Sequence, residues 1–177
     1  MRALVVYESM YGNTHHVAGS VAAGLRSRGW DVTVASVADR APQLLEGVDL
    51  LVVGGPTHAH TLSSNGTRAS AATAATKPDS GLELDDAAAG PGLRDWLAAL
   101  PTGTEKAASA FDTRIDLPAM FTGRASRGIA RRLTRHGYRL IGEPRSFLVT
   151  TKNVLVDGES GRAEDWATHL ADQFQSA

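Results

Sequence analysis

Hydroxyl, amide and glycine residues crowd the segment Tyr7–Thr14, which reads Y-E-S-M-Y-G-N-T. Side chains of this kind offer neutral hydrogen bonds to an oxyanion. A helix N-terminus adds unpaired N–H donors and roughly half a positive charge. Gly12 lets the backbone bend closely around an anion with no Cβ in the way. Ser, Asn and Thr are also ordinary helix-capping residues, so a plain cap is the competing reading. The chemistry to which the spacing points is a phosphate cradle.

Two further polar segments share this character: Pro56–Thr61, P-T-H-A-H-T, and Phe111–Arg114, F-D-T-R. His58 and His60 form an H-x-H pair, but catalytic zinc takes three protein ligands and no third one stands at a plausible spacing. No metal site is expected. Asp112 is suited to accepting a hydrogen bond from a ligand or to stabilising a turn. Arg114 reads either as a neutraliser of ligand charge or as a surface arginine.

The elements that must position these segments alternate along the chain. Ala3–Tyr7 is continuously apolar, as in a strand covered on both faces. Val17, Val21 and Leu25 recur every four residues, the spacing of one helical face, and Gly29 is a plausible stop. Val32 and Val34 mark a second strand, and Asp49–Gly55 a third. Residues 39–47 hold a short helical turn at most. Leu62–Gly92 is rich in Ser, Ala, Thr and Gly, and a connection this long is functional or partly disordered. Leu93, Trp96, Leu97 and Leu100 then mark a short helix ended by Pro101.

Lys106–Phe111 reads as a fourth strand, with F-D-T-R as the loop that ends it. A helix from about Gly123 to His136 turns Ile129 and Leu133 inward and carries Arg124, Arg127, Arg131 and Arg135 on another face. Tyr138–Thr150 reads as a fifth strand broken by G-E-P-R. Ala163, Trp166, Leu170 and Phe174 give a C-terminal helix. This alternation predicts a doubly wound α/β domain with right-handed crossovers. Ligands in such sheets sit at the carboxyl ends of strands. One site built from the three polar segments is the economical reading.

Composition narrows the classes. A chain of 177 residues with 42% hydrophobic content fits one buried core. No apolar run is long enough to span a bilayer, and the expectation is a cytoplasmic protein without a signal peptide. Cysteine is absent, which removes disulfides, thiolate nucleophiles and cysteine-held clusters. A net charge of −1 gives no whole-protein argument for nucleic acid. The charge is uneven, however: Met120 to Arg145 holds seven arginines against one acid, Glu143. Neither G-x-G-x-x-G nor G-K-[ST] occurs, so ATP and a Rossmann-bound dinucleotide are not expected.

Ser9-Met10-Tyr11-Gly12-Asn13-Thr14 resembles the phosphate loop of the flavodoxin family, roughly S/T-x-T-G-x-T, with Tyr11 in place of the third hydroxyl residue. The S-M-Y-G-N-T form is similar to the flavodoxin modules of flavodiiron proteins. Pro56-Thr57-His58 matches the family's second flavin loop in position and opening residues, and Phe111–Arg114 the third in position. The resemblance spans nearly the whole chain apart from Leu62–Gly92. It implies a single domain over 1–177 with an insertion at about 62–92. Its fold would be three-layer and flavodoxin-like, with a five-stranded parallel sheet in the order 2-1-3-4-5.

The cofactor implied is FMN, its phosphate on Ser9, Met10, Tyr11, Gly12, Asn13 and Thr14. Its ring would lie between Pro56, Thr57, His58 and Ala59 on one side and Phe111, Asp112, Thr113 and Arg114 on the other. No catalytic side chain is implied, because the flavin does the redox chemistry and the protein tunes it. Function would be electron transfer or an FMN-dependent oxidoreductase activity. The donor would be a reductase or a nicotinamide nucleotide, and the acceptor is left open. The menaquinone-dependent protoporphyrinogen oxidase type shares the fold. The alternative is a binding or interaction domain that keeps the fold without the flavin. Two departures bear on this: His58 and His60 stand where family members often place Trp or Tyr, and electron-shuttling flavodoxins are usually strongly acidic.

Overall fold

Arg2–Tyr7 forms β1, at the middle of the sheet, where its alternation serves two faces at once. Ala3, Val5 and Tyr7 belong to one buried cluster and Leu4 and Val6 to the other. The computed structural model describes every residue except 40–41, 59–60, 78–79, 89 and 177. After β1 come α1 (Asn13–Ser27), β2 (Asp31–Ser36), β3 (Leu50–His58), the short β4 (Thr61–Leu62), α2 (Asn65–Ala75) and α3 (Leu93–Ala98). The second half holds β5 (Ala107–Ile115), α4 (Ala119–Thr122), α5 (Ala125–Arg135), β6 (Arg139–Leu140), β7 (Arg145–Val149) and α6 (Glu159–Gln175).

The parallel sheet runs β2-β1-β3-β5, and the fifth position is shared by two strands. β6 pairs with Ala107 and Ala108 at the start of β5, and β7 pairs with Phe111–Ile115 at its end. The break expected between Tyr138 and Thr150 is therefore real, with Gly142 at φ 63° inside it. Apart from β4, which pairs antiparallel with β3, the order is the expected 2-1-3-4-5 of a flavodoxin-like α/β fold. Helices α1 and α6 cover one face with Val17, Val21, Leu25, Trp166 and Leu170. Helices α3 and α5 cover the other with Leu93, Leu97, Ile129 and Leu133. Each such side chain, fully buried, contributes about 1.5–3 kcal/mol. No helix among the described residues is long and apolar enough to cross a membrane.

Two boundaries differ from the sequence reading. Strand three continues through Pro56, Thr57 and His58, and strand four through F-D-T-R to Ile115. In both, the polar end keeps its partners: Pro56 pairs with Thr113, and Thr113 with Phe147. The two segments read as loops are strand ends, held because a neighbour distant in sequence satisfies their backbone. The 62–92 region also has more structure than its composition suggests. α2 begins with a capping box in which Ser64 and Thr67 exchange hydrogen bonds.

Candidate functional site at the carboxyl ends of β1, β3 and β5

α1 opens at Gly12, whose φ of 85° is left-handed, and no side chain caps it. Its first turn also carries no acid. Free amides at the start of a 15-residue helix, backed by its dipole, make this corner a candidate anion site. Ser9 and Thr14 lie beside it, both almost fully buried. Ser9 Oγ accepts from the Gly12 amide at 3.0 Å, which leaves its own proton for an incoming oxygen.

The other side chains of this loop turn elsewhere. Tyr11 donates its hydroxyl to the Ala71 carbonyl of α2 at 2.9 Å. Asn13 Nδ2 donates to the carbonyl and Oδ1 of Asn153, at 3.0 and 3.1 Å. Met10 is buried, and its carbonyl accepts from the Asp85 amide at 2.9 Å. The cradle therefore consists of backbone donors plus the hydroxyls of Ser9 and Thr14.

The three segments do converge. Thr14 Oγ1 lies 2.7 Å from Thr113 Oγ1, which joins the first loop to the end of β5. Tyr7 pairs with Gly54, and Gly55 with Asp112. A Cβ on Gly54 would lie 2.0 Å from Cζ of Phe111, so the ring fills the space that a side chain there would need. Phe111 itself is wholly buried against Phe147 and Trp166, which assigns its side chain to the core.

Thr57 and Asp112 act on α5. Thr57 Oγ1 accepts from the Ala125 amide at 3.0 Å, and Asp112 Oδ2 from the Ser126 amide at 2.7 Å. Two strand ends thus satisfy the first donors of that helix. Burial pushes the Asp112 carboxyl up, while the Ser126 amide and the Ser126 and Ser146 hydroxyls oppose the rise. Its second oxygen, Oδ1, has no aligned donor. Arg114 Nη1 reaches the Leu117 carbonyl at 2.6 Å and Thr122 Oγ1 at 3.3 Å, fixing the chain that follows β5. Pro56 is half-buried beside Thr113, and Ala59, like His60, lies outside the described residues.

His58 is half-buried, and its Nε2 has no hydrogen-bond partner among the described residues. Burial holds its imidazole below the usual range, with the Glu8 carboxylate opposing. An unpartnered buried nitrogen at the end of β3 is a position at which a ligand can supply the missing bond.

Two acids shape the site without any sequence reading having singled them out. Glu8 is buried and accepts from Ser63 Oγ and from the Leu93 amide, each at 2.7 Å. Arg68 Nε of α2 lies 3.2 Å from Glu8 Oε1, within ion-pair distance though not aligned as a hydrogen bond. The signal was available in the alternation: Leu4, Val6 and Glu8 share one strand face, the face under α3. Asp85 had no such signal, as it sits in a low-complexity stretch. Its side chain is only 5% exposed, and Oδ2 lies 3.3 Å from His15 Nδ1. The same oxygen is 4.0 Å from the place a Cβ on Gly12 would occupy, at the rim of the cradle. His15 stacks on Tyr7 with ring centroids 4.5 Å apart. The Tyr7 phenol is pushed up to about 12, first by burial and then by the Asp85 and Asp39 carboxylates.

A family model described as flavodoxin matches residues 5–90. A flavodoxin from the domain Archaea superposes with a TM-score of 0.67 at 20% identity, over 99% of both chains. A Streptococcus pneumoniae flavodoxin gives 0.65 at 22%, over 97% of this chain and 99% of its own. The flavodiiron protein from Giardia intestinalis gives 0.66 at 18%, with 99% of this chain matching 36% of that longer one. The cradle at the β1–α1 corner falls within the matched segment, the sheet order agrees, and the chain has the flavodoxin-like fold.

Proposed function

We propose that the chain binds FMN, the cofactor of the flavodoxin family, and passes electrons between a reduced donor and an acceptor. One observation carries this reading: the uncapped start of α1 at Gly12, flanked by the buried hydroxyls of Ser9 and Thr14 and joined to β5 through Thr113. The amides of the first turn and the Ser9 hydroxyl would hold the phosphate. His58 and the ends of β3 and β5 would border the ring, where the unpartnered Nε2 of His58 suits a polar edge. When bound, the flavin supplies the redox chemistry, and the protein's part is to hold it, exclude water and tune it. A reductase or a nicotinamide nucleotide is the class of donor this reading takes. A cytoplasmic setting belongs to the proposal and rests on composition alone.

A second reading has an observation of its own. Asp85 places a carboxylate beside the cradle, and like charge opposes a phosphate. This favours a fold-keeping interaction domain without flavin. The two separate on a visible spectrum of the purified protein, followed by titration of the apo form with FMN and with riboflavin. Flavin absorbance, with FMN bound more tightly than riboflavin, supports the first reading. Ser9→Ala combined with Thr14→Ala should remove most of that preference, because only FMN carries the phosphate. A colourless protein that binds neither would sink it.

A further inference from the structure

Just beyond Thr113 the chain exposes an apolar knuckle. Four of the seven large exposed apolar side chains in the described structure fall between residues 115 and 121: Ile115, Leu117, Met120 and Phe121. Met120 is 78% and Phe121 66% exposed, and it is their grouping with Ile115 and Leu117 within seven residues, not single exposure, that marks the segment. The knuckle is a fixed structure. Arg114 ties it down through the Leu117 carbonyl and Thr122, and the Phe121 amide bonds the Pro118 carbonyl at 2.9 Å. Ile115 follows Thr113 by two residues, roughly 7 Å along the strand. The patch thus borders the candidate flavin site.

Beside it runs an uncompensated positive stripe. Arg124 lies two residues past α4, and Arg127, Arg131 and Arg135 follow on the exposed side of α5. None of the four makes an ion pair among the described residues. Residues 114–135 hold six arginines against one acid, Asp116, in a chain whose net charge is −1. Like charges four apart on a helix repel, so this stripe is costly unless something covers it. Its composition discriminates among covers. Phe, Met and Arg are enriched and Lys depleted at protein–protein interfaces, and this segment has no lysine. Guanidinium groups also match carboxylates bidentately.

We infer that the knuckle at Ile115–Phe121, with the arginines of α5, is the docking surface for an acidic protein partner that exchanges electrons with this chain. The partner would offer an apolar pocket ringed by carboxylates. This inference deepens the FMN proposal and rests on it for the redox step. With FMN bound, one electron would pass from the reduced flavin to the partner's redox centre, reducing it by one electron; in the rubredoxin used as probe below, ferric iron would become ferrous.

The test uses two protein oxidants of opposite charge, an acidic rubredoxin and a basic cytochrome c, mixed with the photoreduced holo-protein in a stopped-flow cell. The rate with rubredoxin should fall as salt is added, and the rate with cytochrome c should not. Arg127→Glu with Arg131→Glu should slow the rubredoxin reaction at low salt by roughly tenfold. Met120→Ser with Phe121→Ser should slow it at every salt concentration, and the flavin spectrum should be unchanged in both variants. A rubredoxin rate that rises with salt, or that ignores the charge reversal, would overturn the inference. So would arginine-dependent sedimentation with phosphatidylserine vesicles or retention of duplex DNA, which would assign the surface to lipid or nucleic acid. Should the protein prove flavin-free, labelled rubredoxin titrated with it at low salt still decides the surface. Binding weakened by both variant pairs supports it, and no binding overturns it.

Discussion

The hydroxyl of Tyr11, within the phosphate-loop motif, donates to the carbonyl of Ala71, sixty residues away on α2. A residue at a cradle position thus fastens the 62–92 region to the strand ends. Burial raises the Tyr11 phenol above its usual value, so it remains a donor near neutrality. Tyr11→Phe should therefore leave the preference for FMN over riboflavin intact and lower stability by about 1 kcal/mol, the net value of a typical hydrogen bond. Flavin titration and urea unfolding measure the two quantities. Loss of the FMN preference would return the hydroxyl to the phosphate.

Asp85 is the group in the site most opposed to an anion. Its Oδ2 faces His15 and stands near Gly12, and its field contributes to the raised Tyr7 phenol. Asp85→Asn keeps the shape and removes the charge. FMN should bind more tightly by on the order of tenfold, which corresponds to about 1.4 kcal/mol. Riboflavin affinity should stay within twofold or so. Weaker FMN binding in the variant would mean that Asp85 positions His15 as a phosphate ligand instead.

Glu8 and Arg68 form a buried pair, with side chains 2% and 11% exposed. Removing one partner leaves the other charged and buried, at a cost of about 3–5 kcal/mol. Arg68→Met should lower the urea midpoint sharply, even though Ser63 and the Leu93 amide still donate to Glu8. Glu8→Gln added to Arg68→Met should recover part of the loss, because the stranded charge is then gone. If the double variant is as unstable as the sum of the two singles, the pair is not coupled.

The sequence supported the architecture because its evidence was local. Buried runs such as Leu50–Val53 and helical faces such as Val17, Val21 and Leu25 keep their meaning whatever surrounds them. Even the divided fifth strand was visible, in the turn residues between two apolar stretches. What failed to show was set by distant partners. Phe111–Ile115 is a strand because β7 pairs with it, and Phe111–Arg114 in isolation looks like a polar loop. The side chains of Thr57 and Asp112 look ligand-facing until α5 presents its first amides to them. Leu62–Gly92 has few large apolar residues, and beyond the buried Leu62 it is held by polar contacts through Arg68, Tyr11 and Asp85 that no periodicity records.

His58 makes stability depend on pH, and the sign can be worked out. Burial lowers its folded-state value below the ordinary imidazole value, about 6.5, while Glu8 pulls it partly back. Between the two values the unfolded chain therefore binds more protons than the fold, and stability rises with pH. The neutral ring's contribution is fully present above about pH 6.5 and is lost as the pH falls toward the folded-state value. The difference between the native chain and His58→Phe isolates this group. Phenylalanine also removes the unpartnered Nε2. From pH 8 down to pH 5 the urea midpoint should fall further for the native chain than for the variant, the native chain losing more stability below pH 6.5. A native chain that gains stability relative to the variant on acidification would show His58 held as a cation by Glu8, and its ring would then face a flavin as a positive charge.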